Sequence, residues 1–362
     1  MTVPELEHPA DGVTPAIARP ARADPAAPAA SGGANELADE RTRAIPVPEL
    51  PPGLDTPCLV VDLDIVERNL ARMQSQLDAR GVSLRPHFKT HKSVALARLQ
   101  LEAGAHGLTV GTIGEAEVLV EAGIGDLFIA YPLWLDEPKA GRLGALLDRG
   151  PLSVGVDSAE SAARLALASH GRRHRPAVLL EIDSGERRTG VTPDAAPILA
   201  QAVREAGLDV IGVYTHGGHA YAGPSAVESA AADEMDLLRA ARDALRAAGI
   251  EAPVVSAGST PTALRSAAGS VTEERPGTYV FNDRQQVGLG GAPSDGVGLF
   301  VAATVVSAVV PGQVVIDAGG KTLAKDRPAW AEGFGVLPAY PDARIVRTYD
   351  YHGVVAIPEG TP

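Results

Sequence analysis

The chain has 362 residues, 45% of them hydrophobic and 21% charged, enough to bury the core of one large α/β domain and a smaller companion. A net charge of −13, from 45 acidic against 32 basic side chains, argues against an extended surface for nucleic acid or an anionic membrane. Cys58 is the single cysteine, which excludes an internal disulfide and a thiolate metal cluster.

Residues 1–45 are rich in Ala, Pro, Gly and charge ("PARADPAAPAASGGANELADE") and lack apolar periodicity. Such a segment buries too little surface to offset its ordering entropy, so a disordered extension is expected there. Its start, "MTVPELEHPADG", reads as lacking a secretory signal, and no apolar run approaches the roughly 20 residues of a membrane helix. The expectation is a cytoplasmic protein.

From about residue 55, short β-branched or Leu-rich runs alternate with amphipathic stretches that often end in Gly. The predicted strands are 58–63, 82–87, 107–111, 127–132, 152–157, 177–183, 209–216 and 253–258. Between them lie helical patterns: in 64–80, Ile65, Leu70, Met73 and Leu77 share one face, and Gly81 suits the cap. This alternation predicts an α/β fold, a (β/α)8 TIM-type barrel over 46–270. The rival doubly wound sheet would carry a Gly-x-Gly-x-x-Gly turn after its first strand, and none follows 58–63. Over 271–362 the runs "YVFND", "GLFVAATVVSAVV" and "ARIVRTYDYHGVVAI" predict a β-rich second domain.

Barrel active sites lie at the C-terminal ends of strands, where four polar clusters fall: "PHFKTHK", "DSGERRTG", "THGGHAY" and "AGSTPT". Lys89, beside His87, would point to the barrel mouth, where desolvation and neighbouring cations lower an amine's pKa for imine chemistry; a solvated loop lysine is the alternative. In "SAGSTPT", Gly258 allows close approach, and Thr260 with Pro261 suits a helix start, so free amides could cradle a phosphate or simply cap a helix. "EIDSGERRTGV" reads as a tight turn with a local ion pair, or as an arginine for a heterocycle nitrogen. His216 and His219 are acid/base candidates or polar rim residues. Lysine, phosphate cradle, arginine and histidines together match pyridoxal 5′-phosphate better than any other cofactor.

The segments "LDTPCLVVDLDIVERNL", "RPHFKTHK", "EIDSGERRTGV", "HGGHAY", "SAGSTPT" and "RPGTYVFND" resemble the D-threonine aldolase/D-serine dehydratase family of alanine-racemase-like enzymes. The resemblance implies a barrel followed by a β domain, pyridoxal 5′-phosphate held as an imine on Lys89, and Arg188 facing the pyridine nitrogen. It further implies Gly258, Ser259 and Thr260 around the phosphate, Tyr279 and Asp283 near the site, and Tyr214, His216 and Tyr221 lining the cofactor or substrate face. A small D-amino acid as substrate and a homodimer are also family expectations.

The family's divalent metal (Mn or Zn) is bound by a C-terminal His-x-Cys or His-x-Asp pair. Here "DYHG" resembles the Glu-Glu-His-Gly region that precedes it, and no such pair follows; His352 is the last histidine. The expectation is therefore a chain incomplete at its C-terminus or one without metal-assisted chemistry, with His352 structural. The leading reading is a lyase of β-hydroxy D-amino acids, by retro-aldol cleavage or by elimination of water and ammonia. A racemase, a pyridoxal phosphate binder without turnover, and a hydrolytic metal site on His87, His91 and His216 are the alternatives.

Overall fold

The computed structural model describes residues 44–360, so most of the extension expected over 1–45 lies outside the described residues. The first strand, β1 (Cys58–Val61), leads through Asp62 into helix α1 (Leu63–Asp78). The Asp62 carboxylate accepts the Ile65 amide at 3.0 Å, and Ile65, Leu70, Met73 and Leu77 form the buried stripe that the spacing predicts. Gly81, at φ +68°, turns the chain after it.

The units then repeat: β2 (Ser83–Leu84), α2 (Val94–Glu102), β3 (Leu108–Val110), α3 (Ile113–Glu121), β4 (Leu127–Ile129), α4 (Glu137–Arg149), β5 (Leu152–Val156) and α5 (Ala159–Ser169). They continue with β6 (Ala177–Glu181), α6 (Ala196–Glu205), β7 (Asp209–Tyr214), α7 (Val227–Ala247), β8 (Val254–Ala257) and β9 (Glu273–Glu274). Ser93, Thr112, Asp136 and Ser158 cap α2 to α5 with their side chains, each contributing about 1 kcal/mol. Strands β2 to β9 form one parallel sheet in the order β2-β9-β8-β7-β6-β5-β4-β3. A parallel bridge between His87 and Thr109 joins its two ends, so the sheet closes into a barrel.

Two strand assignments differ from the sequence expectation. Residues 58–61 are not in the barrel; β1 pairs antiparallel with β10 (Leu299–Ala302), Cys58 opposite Ala302. The eighth barrel strand is Glu273–Glu274, beyond the expected boundary at 270. Two consecutive glutamates carry no strand signal, since an unpaired buried carboxylate is costly. Inside this barrel they have partners: Glu273 accepts from Arg85 at 2.6 Å and from Ser256 at 2.6 Å, and Glu274 from Ser266 at 2.8 Å. Arg85, the first basic residue of "RPHFKTHK", thus holds the barrel together, and it also reaches Asp126 at 2.6 Å.

The barrel interior is filled by Phe128, Leu179 and Tyr214. A larger apolar shell packs between sheet and helices, where each fully buried Leu or Val contributes roughly 2 kcal/mol. Beyond the barrel, β11 (Val305–Ser307), β12 (Gln313–Ile316), β13 (Val336–Leu337), β14 (Tyr340–Thr348) and β15 (Gly353–Ala356) make an antiparallel sheet in the order β11-β12-β15-β14-β13. Its core is Ile316, Ala318, Ala343, Ile345 and Val355. No helix among the described residues is long and apolar enough to cross a membrane.

Candidate active site

One cavity opens at the C-terminal ends of the barrel strands. Its walls include His87 and Lys89 after β2, Glu181 and Arg188 at the end of β6, and Tyr214, His216 and Tyr221 after β7. Gly258, Ser259 and Thr260 after β8, and Arg275, Gly277 and Thr278 after β9, complete it. Nine of the sequence-predicted residues therefore meet in one place: His87, Lys89, Arg188, Tyr214, His216, Tyr221, Gly258, Ser259 and Thr260.

Tyr279 and Asp283 do not line it. Tyr279 is buried behind the wall, its amide donating to the Thr260 hydroxyl at 3.1 Å and its own hydroxyl accepting from Gln100 at 3.1 Å. Asp283 caps the short helix Arg284–Gly288 through the Gln286 amide at 2.7 Å, and burial raises its carboxyl pKa. His91 is turned away as well: its ring meets Gln100 at 3.0 Å and accepts the Ser93 amide at 3.1 Å. His219 pairs with Asp233 at 3.1 Å. The three-histidine metal site is thereby overturned, and no group of three His, Cys, Asp or Glu side chains suited to a metal occurs among the described residues. His352 lies exposed on the β sheet beside β15.

Lys89 stands exposed at the cavity mouth on a single 3-10 turn, Phe88–Thr90, capped by the His87 ring, whose Nδ1 accepts the Lys89 amide. Its pKa is lowered by the protein packed around it and then by the positive charges of Arg188 and Arg275. Burial pushes the His216 pKa down to about 3, with Lys89, Arg188 and Arg275 adding to the effect. Burial also holds His87 well below the usual histidine range, again with Lys89 and Arg275 nearby. Both imidazoles are therefore neutral near pH 7.

The floor is polar and ordered. Buried Glu181 accepts from Thr189 at 2.7 Å and from Tyr214 at 3.0 Å, and its pKa is raised by burial. The same burial, with Glu181 beside it, raises the Tyr214 hydroxyl well above the ordinary tyrosine value, and burial takes Tyr221 up to about 12. Arg275 is 6% exposed. It donates to the Ser256 hydroxyl at 2.5 Å and to the Thr215 carbonyl, with its guanidinium 5.4 Å from the Tyr214 ring centroid. Arg188 differs: its side chain is 57% exposed and only 3.4 Å from Glu186.

The anion cradle is not built as the motif suggests. The Gly258 amide is taken by Glu234 at 3.0 Å and the Ser259 amide by Thr262 at 2.9 Å. Among the described residues the amides of Thr260, Gly277 and Thr278 donate to nothing, so the free donors come from two adjacent strand ends. Sequence reasoning missed Glu181, Arg275, Gly277 and Thr278. The usable signal was "EERPGT": once Glu273–Glu274 is a barrel strand, Arg275 to Thr278 are its C-terminal end.

A closed β/α barrel with lysine, arginines and free amides at its strand ends, followed by an antiparallel β domain, defines the alanine-racemase-like class of pyridoxal phosphate proteins. Residues 61–285 match the family described as "Alanine racemase, N-terminal domain" and residues 298–362 the "Putative serine dehydratase domain", and the chain belongs to that family. It is 42% identical over 284 residues to the D-threo-3-hydroxyaspartate dehydratase of Delftia sp. (strain HT23), covering 76% of this chain and 74% of that one. It is 34% identical over 320 residues to the D-threonine aldolase of Arthrobacter sp, covering 85% and 81% respectively. The crystal structure of D-threonine aldolase from Filomicrobium marinum superposes with a TM-score of 0.78 at 33% identity, over 85% of each chain.

Proposed function

We propose that this chain is a pyridoxal 5′-phosphate-dependent lyase of β-hydroxy D-amino acids, with Lys89 carrying the cofactor. The observation that carries this reading is the pairing, in one cavity, of an amine with lowered pKa and free amides at Thr260, Gly277 and Thr278. The residues present fit the group: the phosphate would take those three amides with the Ser259 and Thr278 hydroxyls, and the ring would lie over the Tyr214 and His216 side of the cavity. When bound, the cofactor supplies an electrophilic aldehyde for amines and a conjugated ring that makes bonds at Cα labile.

The two arginines divide the remaining positions. In pyridoxal the ring nitrogen lies para to the aldehyde-bearing carbon, so its partner would be a residue other than those next to Lys89. It must also be shielded from water to hold a proton off that nitrogen. Buried Arg275, fixed by Ser256 and Thr215, meets the second condition, and Arg188 does not. Arg188 is the larger electrostatic influence on Lys89 and is open to the mouth, which suits the phenolic oxygen or the substrate carboxylate. On this reading Arg275, rather than Arg188, would face the ring nitrogen.

A pyridine nitrogen facing a permanent cation stays unprotonated and is a weak electron sink, so the protein must move protons itself. Lys89 with a lowered pKa can hold or release one at Nζ, and neutral His87 and His216 can accept one at a ring nitrogen. No group of three His, Cys, Asp or Glu side chains suited to a metal occurs among the described residues, and no step is assigned to one.

Elimination of water, with release of ammonia and a 2-oxo acid, is favoured over retro-aldol cleavage by the 42% identity to a dehydratase against 34% to an aldolase. The test is to incubate the purified protein with D-threo-3-hydroxyaspartate, D-serine and D-threonine. Ammonia and a 2-oxo acid support elimination; glycine and an aldehyde support cleavage; neither product from any substrate sinks the lyase reading.

A further inference from the structure

Two buried glutamates meet under the loop that follows β8, and neither is among the residues lining the cavity. Glu234, on α7, is fully buried and its Oε1 accepts the amides of Gly217 at 2.8 Å and Gly258 at 3.0 Å. One carboxylate oxygen thus ties together the loops that carry His216 and Ser259–Thr260. Glu274, on β9, is fully buried too and accepts only the Ser266 hydroxyl, at 2.8 Å. Both packings demand glycine. A Cβ on Gly217 would lie 2.7 Å from the Glu234 carboxyl carbon, and one on Gly258, at φ +93°, would lie 1.7 Å from Glu274 Oε2.

The two carboxyls also share a defect. The second oxygen of each, Glu234 Oε2 and Glu274 Oε2, is buried without a hydrogen-bond partner. Two ionised carboxylates in such a place would each forgo solvation and repel one another. Burial raises the pKa of both, well above the ordinary value for Glu274, where Glu234 is the next largest cause. The other charged or titratable groups facing them are Arg275, Glu273 and Tyr221.

We propose that Glu234 and Glu274 hold one proton between them, Glu234 ionised and Glu274 neutral, as the positioning pair that sets the geometry of the two loops. The assignment follows from donors: two amide N–H groups stabilise charge on Glu234, whereas Glu274 has one hydroxyl. Arg275 offsets the charge on Glu234, so the cradle above presents amides and no net anion to a phosphate. Both glutamates lie beneath the loop, and neither lines the cavity.

The test uses the protein as purified, with Glu274→Gln and Glu234→Gln. Glutamine is the isostere of a neutral carboxylic acid, so Glu274→Gln keeps its melting temperature and binds pyridoxal 5′-phosphate within about threefold of the parent. Glu234→Gln loses a charged acceptor for two amides and binds the cofactor roughly tenfold more weakly. The infrared difference spectrum, parent minus Glu274→Gln, shows the carbonyl band of a neutral carboxylic acid at pH 7; parent minus Glu234→Gln does not.

A Glu274→Gln protein that fails to fold, or a neutral-acid band lost instead in Glu234→Gln, or no such band in either difference, overturns the pair. Should Glu234→Gln not fold, the Glu274→Gln spectrum decides alone. Only the affinity measurement rests on the cofactor reading. A parent protein that binds no pyridoxal 5′-phosphate sinks that reading, and the infrared result still judges the proton.

Discussion

Lys92 is held by Glu115 at 2.8 Å, an ion pair that turns it away from the cavity lined by Lys89 three residues earlier. Glu115 is itself buried and accepts the Gly111 amide at 2.8 Å, so the pair is anchored to the barrel wall. The two lysines of "KTHK" therefore have separate tasks, one structural and one open to chemistry.

Lys89→Ala is expected to abolish the visible absorbance of the cofactor-loaded protein and all turnover, while Lys92→Ala keeps both. Borohydride reduction followed by peptide mapping checks it, with label on the peptide containing Lys89. Label at Lys92 would reverse the assignment.

Arg275→Met is expected to cost more than Arg188→Met. Removing a buried guanidinium leaves the Thr215 carbonyl unpaired and the Ser256 hydroxyl with only its bond to Glu273, a loss of about 2 kcal/mol or more, along with the ring-nitrogen partner. Loss at Arg188 costs an exposed ion pair worth under about 1 kcal/mol and should raise KM for substrate. Thermal melts and kcat against KM for the two variants separate the roles.

His216 links stability to pH. Its folded pKa lies near 3 and the ordinary value is 6.5, so between these limits the unfolded chain binds the extra proton. Stability contributed by the neutral imidazole is complete above about pH 6.5 and declines as pH falls toward 3. A melting-temperature series from pH 8 to 4 is expected to fall less steeply for His216→Asn than for the parent; parallel curves would refute the buried neutral state.

Trp330 ties the β domain to the site. Its indole N–H donates to the Tyr221 carbonyl at 3.0 Å, and its ring packs over Gly288, where a Cβ would come within 2.9 Å. Trp330→Phe should keep most of the packing and lose about 1 kcal/mol, with KM rising several-fold and kcat little changed. Tryptophan fluorescence provides the second measure: cofactor binding quenches the parent more than this variant, where Trp134 is the remaining emitter.

Much of the fold was legible in the chain. Amphipathic spacing in 64–80 and the recurring Leu/Val runs between 82 and 258 are local signals, and they fall where the structure has a helix and barrel strands. Strand-end position likewise marked Lys89, His216 and the 258–260 loop, because a barrel directs those positions to one mouth.

Tertiary structure decided what depends on partners distant in sequence. Glu273–Glu274 becomes a strand only because Arg85, Ser256 and Ser266 satisfy its carboxylates. Arg275 enters the site only once that strand exists, and the Gly258 amide is withdrawn from the cradle by Glu234, 24 residues away. Buried charge is tolerated or forbidden according to its neighbours, and neighbours across a closed barrel leave no periodic trace along the chain.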